Sequence, residues 1–453
     1  MKKTIVWALA ALFGLGTMTA EAADVSLSGF GTLGYAQSNQ PYHYLRFINN
    51  SGTVKRDSVA GVQADVKFTD SFGASIQGKF APSTKNESSW DSTLSWAFIS
   101  WRPSNDWLFR LGKQRVPLYL DSENLDVGLT YDFAHMPSEM YNLTAIPDYD
   151  GVSLSKNWNL SFGELTLDGY NGRSKADWRT YQRDNVQLPP PAPSAPQGAS
   201  FTHLNIDTNG IALTLLRDED KYRVSRHKIT IAPDPGQFFV AYDSLVPATA
   251  FLPGVEQSLG LASGSLAGTL SGSAYTVLPE ALITSVDLTV YTLGADIHLP
   301  KDFRLVGEYC RRKINNQVNG IDTNGGYFAL LKAIDRWTPY VSYGRIKSRA
   351  DILSNYQAAN ANTNGVAALA PGLAPVAAVI NASQRVVADN LFAYDQHTIA
   401  LGTSYRLSPT QKIKFEWART HVGVSSNLVD APAGDTVSNR NINVLSFSYN
   451  VVF

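Results

Sequence analysis

Asn441-Ile-Asn-Val-Leu-Ser-Phe-Ser-Tyr-Asn-Val-Val-Phe453 ends the chain, and its reading decides the fold. Taken in steps of two from the terminus, Phe453, Val451, Tyr449, Phe447 and Leu445 are apolar, while Asn450, Ser448 and Ser446 on the other parity are polar. Successive side chains of a strand point to opposite faces, so this pattern sets one face against an apolar medium and the other toward water. Val452, Val444 and Ile442 interrupt the alternation. A soluble sandwich can also end on an amphipathic strand, so the rest of the chain has to decide.

At the other end Lys2 and Lys3 precede the apolar run 5–18, and Ala20-Glu21-Ala22 supplies small residues at a cleavage position. Residues 1–22 therefore read as a secretory signal and 23–453 as the exported protein. The run holds Gly14, Gly16 and Thr17 and falls short of the roughly 20 apolar residues of a spanning helix. No later stretch approaches such a helix, which leaves strands as the way into a membrane. The one cysteine, Cys310, permits neither an intrachain disulfide framework nor a cysteine metal site. With 38 basic and 39 acidic residues the formal charge is -1, which gives no basic footprint for nucleic acid.

From Asp24 onward alternating strands and polar interruptions follow one another. Ala60, Val62, Ala64, Val66 and Phe68 oppose Gln63, Asp65 and Lys67; Phe72, Ala74, Ile76 and Phe80 oppose Ser75, Gln77 and Lys79. Leu94, Trp96 and Phe98 mark a fourth strand, and Trp107, Phe109 and Leu111 a fifth. Near the end, Ile413, Phe415 and Trp417 oppose Lys412, Lys414 and Glu416. Around 222–231 and 286–299 the parity slips, and a bulge is expected in each.

Connections alternate in length. Short ones fall at 69–71, 103–106, 157–160, 218–221, 300–302, 334–336 and 408–410. Long ones fall at 38–56, 82–89, 116–150, 173–202, 233–283, 314–323, 349–390 and 423–440. Seven short and eight long connections join sixteen strands, with eighteen left open by the weaker segments. The expected fold is an all-β, antiparallel up-and-down transmembrane barrel, with short periplasmic turns and long extracellular loops. Trp107, Trp158 and Trp337 beside short turns fit an interfacial aromatic girdle. The run 188–196 is proline-rich and reads as a rigid spacer. The weakly charged segments 246–282 and 358–380 read as a lid over the mouth or as loosely ordered filler.

A final strand ending in Phe, with apolar residues at alternate positions behind it, resembles the outer-membrane β-barrel proteins of Gram-negative bacteria. The resemblance implies that Phe453, Val451, Tyr449, Phe447 and Leu445 form the signal read by the barrel insertion machinery. It also places the protein in the cell outer membrane, among lipid and lipopolysaccharide. In strand count and loop rhythm the chain is similar to trimeric general porins, whose third loop folds inward and narrows the pore with acidic residues opposite a basic wall. Here that loop carries Asp121, Glu123, Asp126 and Asp132, and further on Glu139, Asp148 and Asp150, with no lysine or arginine after Arg115. By parity the basic wall is Lys67, Lys79, Arg110, Arg304 and Lys414.

Opposed charges across a narrow water-filled channel favour small polar solutes and ions over apolar ones. The resemblance further implies a homotrimer, a passive diffusion porin and no cofactor. The Pro-Glu-Phe-Gly sequence common in the third loop of general porins is replaced by Val116-Pro117-Leu118-Tyr119. The stretch Leu111-Gly-Lys-Gln-Arg115-Val-Pro117 looks more like the corresponding junction of substrate-selective porins.

Two other classes compete with this reading. An enzyme would need a nucleophile or activated water near a histidine and a carboxylate. His43, His135, His203, His227, His298, His397 and His421 lie far apart in sequence without catalytic or metal-binding spacing. A surface adhesion or binding barrel, acting through its long loops, remains the alternative to a porin.

Overall fold

Alternation along the chain becomes the two faces of a closed wall. The computed structural model describes residues 24–453 apart from 144–147, 187–194, 242–243, 248–252, 254–255, 258–259, 266–274, 279–280, 318–319, 362–371 and 373. The expected signal segment and most of the proline run lie outside the described residues.

Sixteen strands close in sequence order into one antiparallel barrel. Its first nine are β1 (Asp24–Ser38), β2 (Val59–Lys67), β3 (Phe72–Pro82), β4 (Trp90–Ser104), β5 (Trp107–Arg115), β6 (Asp148–Leu160), β7 (Gly163–Gln182), β8 (Gly198–Arg217) and β9 (Asp220–Pro233). Outside the wall, β10 (Phe239–Ala241) pairs with β13 (Ala281–Ile283), and β11 (Ser244–Pro247) with β12 (Tyr275–Leu278). The wall resumes with β14 (Val286–Leu299), β15 (Phe303–Ile314), β16 (Thr323–Lys332), β17 (Trp337–Ser348), β18 (Tyr394–Ser408), β19 (Gln411–Ser426) and β20 (Arg440–Val452). β20 returns to β1, with Leu33 opposite Tyr449 and Tyr35 opposite Phe447, so no sheet edge is left unpaired. Among the described residues no helix is long and apolar enough to cross a membrane.

In β20, Leu445 is exposed on the outer wall while Ser448 and Asn450 are buried inward. Ile442 and Val444, which break the alternation, also face inward. They pack with Tyr44 and Ile48 of the loop 39–58 and with Val429 and Ala431 of the loop 427–439. Trp107, Trp158 and Trp337 are exposed beside short turns. The outer rings lie side by side there: Phe72 stacks on Trp101 at 6.1 Å, while Trp101 meets Phe109 at 5.2 Å and Trp337 meets Tyr405 at 4.5 Å between centroids in tilted contacts. An aromatic belt at one rim suits a membrane interface.

The structure corrects several local expectations. In β4 a register shift loops out Ser95, so Leu94 faces outward whereas Trp96 and Phe98 face the lumen. The third short turn is 161–162, because Asn157 to Leu160 still pair within β6 and β7. β7 and β8 run 20 residues each, which shortens the fourth long connection to 183–197. β9 and β14 pair without any bulge. Their parity only seems to slip in sequence, because Ile229, Ile231, Leu288 and Val290 face inward onto an apolar plug while Arg226 and Lys228 face outward. Polarity, not register, is what inverts near the long-loop rim.

The long connections turn inward. Helices Ala350–Asn360 and Ala374–Asn390 pack on each other through Ile352, Tyr356, Ala388 and Leu391. Arg183 is buried beneath them, donating to Asp389 at 2.7 Å, Asn360 at 2.8 Å and Tyr356 at 3.1 Å. Arg179 bridges Glu87 of the second long loop and Asp430 of the eighth. The described residues of the expected lid segments 246–282 and 358–380 include parts of the small hairpin strands, the end of the first helix and the start of the second.

Candidate functional site

The connection 116–147 is hereafter L3, and its described residues 116–143 lie inside the barrel. Apolar packing carries it there: Val116, Leu118, Tyr119, Leu120, Phe133, Met136, Met140 and Leu143 share one buried cluster with inward residues of β8, β9 and β14–β18. A general porin-like lumen was expected to be polar, yet more than half of this cluster comes from the wall itself. Burying each such side chain stabilises the docked loop by about 1.5–3 kcal/mol before the loss of conformational entropy.

Polar latches fix the register of L3. Glu308 of β15 accepts from the Tyr141 hydroxyl at 2.5 Å, the Tyr327 hydroxyl at 3.0 Å and the Leu120 N–H at 2.8 Å. The Tyr340 hydroxyl accepts from the Ala134 N–H at 3.0 Å and donates to Glu416 at 2.6 Å. Glu139 accepts from Gln396 at 2.8 Å and from Thr398 at 2.5 Å. Lys414, fully buried, donates to the Phe133 carbonyl at 2.9 Å and sits 3.8 Å from the Tyr131 ring centroid. Gly128 brings L3 against β1 and β20, where a Cβ would fall 1.9 Å from Asn450 Oδ1.

The four acids singled out from sequence occupy different surroundings. Asp126 accepts from Lys79 at 2.9 Å and also from Arg115. Burial raises its pKa, but the two cations outweigh burial and hold the carboxyl below the usual carboxylate range. Asp132 meets Lys412 at 2.9 Å, Ser404 at 2.8 Å and Arg304 at 3.4 Å; burial again opposes and Lys412 leads the groups that pull its pKa down. Glu123 is exposed, 3.9 Å from Arg110. Asp121 has no ion pair within salt-bridge distance among the described residues, and burial pushes its carboxyl up. Of the later acids, Asp148 and Asp150 both stand in β6 and not in the loop, Asp148 pairing with Lys113 at 2.7 Å.

Four of the five basic residues expected on the wall thus meet L3. Lys67 does not: it pairs with Asp70 at 2.7 Å beside a short turn. Arg304 also bonds Asp296 on its own wall, with Nε 2.7 Å from Oδ1. The charges near Asp126 and Asp132 are contact ion pairs, not opposed groups separated by a gap.

Two cavities flank L3. The outer one, about 270 Å³, is floored by Leu118, Tyr119 and Leu143. The inner vestibule is lined by Trp96, Phe98, Arg110, Arg115, Glu123 and Arg223, among others. Tyr119 lines both. Sequence reasoning missed Glu308, Arg312, Arg223 and Tyr119. Glu308 and Arg312 were discoverable as charges on the same parity as Val306 and Cys310.

The histidines are dispersed over the barrel, with His135 2.9 Å from Asp57 and His203 3.2 Å from Asp177. His227 is wholly buried, 2.7 Å from Ser225 and 3.0 Å from Tyr170. The structure brings His397 and His421 to 5.2 Å between ring centroids despite their separation in sequence. Among the described residues no cluster of three or more His, Cys, Asp or Glu is arranged to hold a metal.

No protein-family model matches the chain, and no curated protein matches it in sequence. Solved structures do match. The anion-selective porin from Comamonas acidovorans is 11% identical, covers 95% of this chain and 100% of its own, and superposes with a TM-score of 0.50. The outer-membrane channel DcaP of Acinetobacter baumannii is 11% identical over 97% of this chain and 100% of its own, with a TM-score of 0.49. Salmonella typhi OmpF, solved with daunomycin, is 10% identical over 94% and 97%, with a TM-score of 0.46. At such identities the likeness is one of architecture. The chain has the fold of a porin-like outer-membrane β-barrel.

Proposed function

We propose that the protein is an outer-membrane channel for passive diffusion of ions and small polar solutes, narrowed by L3. The observation that carries this reading is the inner vestibule, a charged chamber inside a closed barrel. Five cationic side chains, Arg102, Arg110, Arg115, Lys221 and Arg223, line it against three carboxylates, Asp106, Glu123 and Asp168. That balance favours anions. Solutes pass from the outer cavity beside Tyr119 into the vestibule, and the acids Asp121, Glu123, Asp126 and Asp132 temper the preference from the L3 side. Adhesion through projecting loops is the second reading. It fits less well with long connections whose apolar side chains are packed inward.

The remaining roles belong to the same proposal. Residues 1–22 direct export, the alternate apolar residues ending at Phe453 serve barrel insertion, and three copies assemble amid lipid and lipopolysaccharide. No catalytic activity is assigned.

Single-channel conductance in planar bilayers, with reversal potential under a salt gradient, tests the reading. Anion-preferring steps that become more so in an Asp121→Asn, Glu123→Gln, Asp126→Asn variant support it. Steps with unchanged selectivity remove these acids from the path. A folded barrel without conductance turns the reading to adhesion.

A further inference from the structure

The outer cavity differs from the inner one in that a greater share of its wall is aliphatic and aromatic, with Ile229, Ile231, Leu288, Val290, Trp178 and Phe392 among its lining. A chamber that only passed hydrated ions would gain nothing from such a lining. Its charged residues are accounted for pairwise, with one exception. Arg179 is held by Glu87 and Asp430, Arg183 by Asp389, and Asp177 lies 3.2 Å from His203.

Arg312 is the exception. It projects inward from β15, is 7% exposed, and has no carboxylate within salt-bridge distance among the described residues. Its Nε donates to Thr323 at 3.1 Å and its Nη1 to the Leu143 carbonyl of L3 at 2.9 Å. Its Nη2 is buried without an acceptor among the described residues, and the Tyr394 ring centroid lies 5.8 Å from the guanidinium carbon. A buried guanidinium nitrogen left without an acceptor is costly, and a charged acceptor recovers more than a neutral one. Both features point to the same ligand chemistry, an apolar body to fill the cavity and one anionic oxygen group to meet Arg312.

We propose that the outer cavity binds small organic monocarboxylates with an aromatic or branched apolar body, the carboxylate turned toward Arg312. This deepens the channel reading by naming a solute class, but the site itself is separable from conduction. Nη2 is covered, so binding requires a small shift of the side chains around the guanidinium.

The test is calorimetric titration of the detergent-refolded full chain with benzoate, benzamide, acetate and benzylamine, with Trp178 fluorescence as a second readout. Saturable benzoate binding is expected, with benzamide and acetate each weaker by about tenfold or more. Arg312→Met should abolish the advantage of benzoate over benzamide. Should Arg312→Met fail to refold, Val290→Trp, which fills the cavity and leaves the charge in place, must weaken both aromatic ligands. Equal binding of benzoate and benzamide, or binding untouched by both variants, overturns the proposal. Conductance measured in parallel separates the two ideas: a conducting barrel that does not bind benzoate loses the site and keeps the channel, and the reverse result keeps the site alone.

Discussion

The Tyr141 hydroxyl donates to Glu308 across 2.5 Å, joining the returning limb of L3 to the inner wall of β15. Glu308 receives two more donors there and has no cation within salt-bridge distance among the described residues. A buried carboxylate satisfied only by neutral donors is a precise fastener, because each donor is left unpaired if it goes. Tyr141→Phe removes that bond and the longer one the hydroxyl accepts from the Asp121 N–H at 3.3 Å, and should lower unfolding stability by about 1–2 kcal/mol, whereas Glu308→Ala strands three donors and should cost about 3 kcal/mol. Denaturant unfolding of the refolded barrel measures both. Open-channel current noise should rise in the same order as L3 loosens.

Asp126 and Asp121 lie five positions apart in L3, yet their pKa values move in opposite directions. The Asp126 carboxyl is depressed, so its stabilisation is complete above the unfolded value of about 3.9 and disappears as pH falls through its lower folded value. The Asp121 carboxyl is raised, so its ionised form subtracts stability at neutral pH, and that cost disappears as pH falls through the raised value. At pH 7 Asp126→Asn should cost about 3 kcal/mol by leaving Lys79 and Arg115 without their partner. Asp121→Asn should be neutral or stabilising. Unfolding at pH 7 and again near pH 3 checks the signs: the penalty of Asp126→Asn must shrink in acid.

The barrel's seam between β1 and β20 passes through Gly29. The terminal Phe453 lies over it, with the Gly29 N–H bonded to the Phe453 carbonyl at 2.8 Å and the Phe453 N–H to the Gly29 carbonyl at 3.0 Å. A Cβ at position 29 would come 2.4 Å from the Phe453 ring. An aromatic ring covering a cross-strand glycine hides backbone that would otherwise be bare. Gly29→Val and Phe453→Ala should each slow refolding, read as delayed appearance of the heat-modifiable band on a denaturing gel. The double variant should be little slower than either single one, because both remove one contact.

The wall was legible in the sequence where each strand had one polar and one apolar face, as in β2, β3 and β19. It became illegible where lumen-facing residues were themselves apolar. Ile229, Ile231, Leu288 and Val290 obey the same parity as Ser225 and Thr292, but they pack on L3, a partner that local alternation does not record. Bulging of Ser95 hid the inward course of Trp96 for the opposite reason, a real change of parity with no glycine or proline to mark it. At the candidate site, charge in L3 was visible as composition. Pairing was not, since Asp132 finds Lys412 280 positions away and Asp126 finds Lys79 47 positions before it.

Gly128 marks the place where L3 touches the seam between the first and last strands. Thr32 donates to Asn450 at 2.9 Å directly beneath it, and any Cβ there would collide with that pair. L3 would have to lift locally, while the Glu308 and Tyr340 latches hold its other limb in place. Gly128→Ala should therefore alter the path without unfolding the plug. Global stability should fall by about 1 kcal/mol, while single-channel conductance changes measurably because Asp126 and Asp132 flank the displaced residue. If conductance is unchanged although stability falls, the path runs entirely along the Tyr119 side of L3, and the acids near position 128 serve only to anchor the loop.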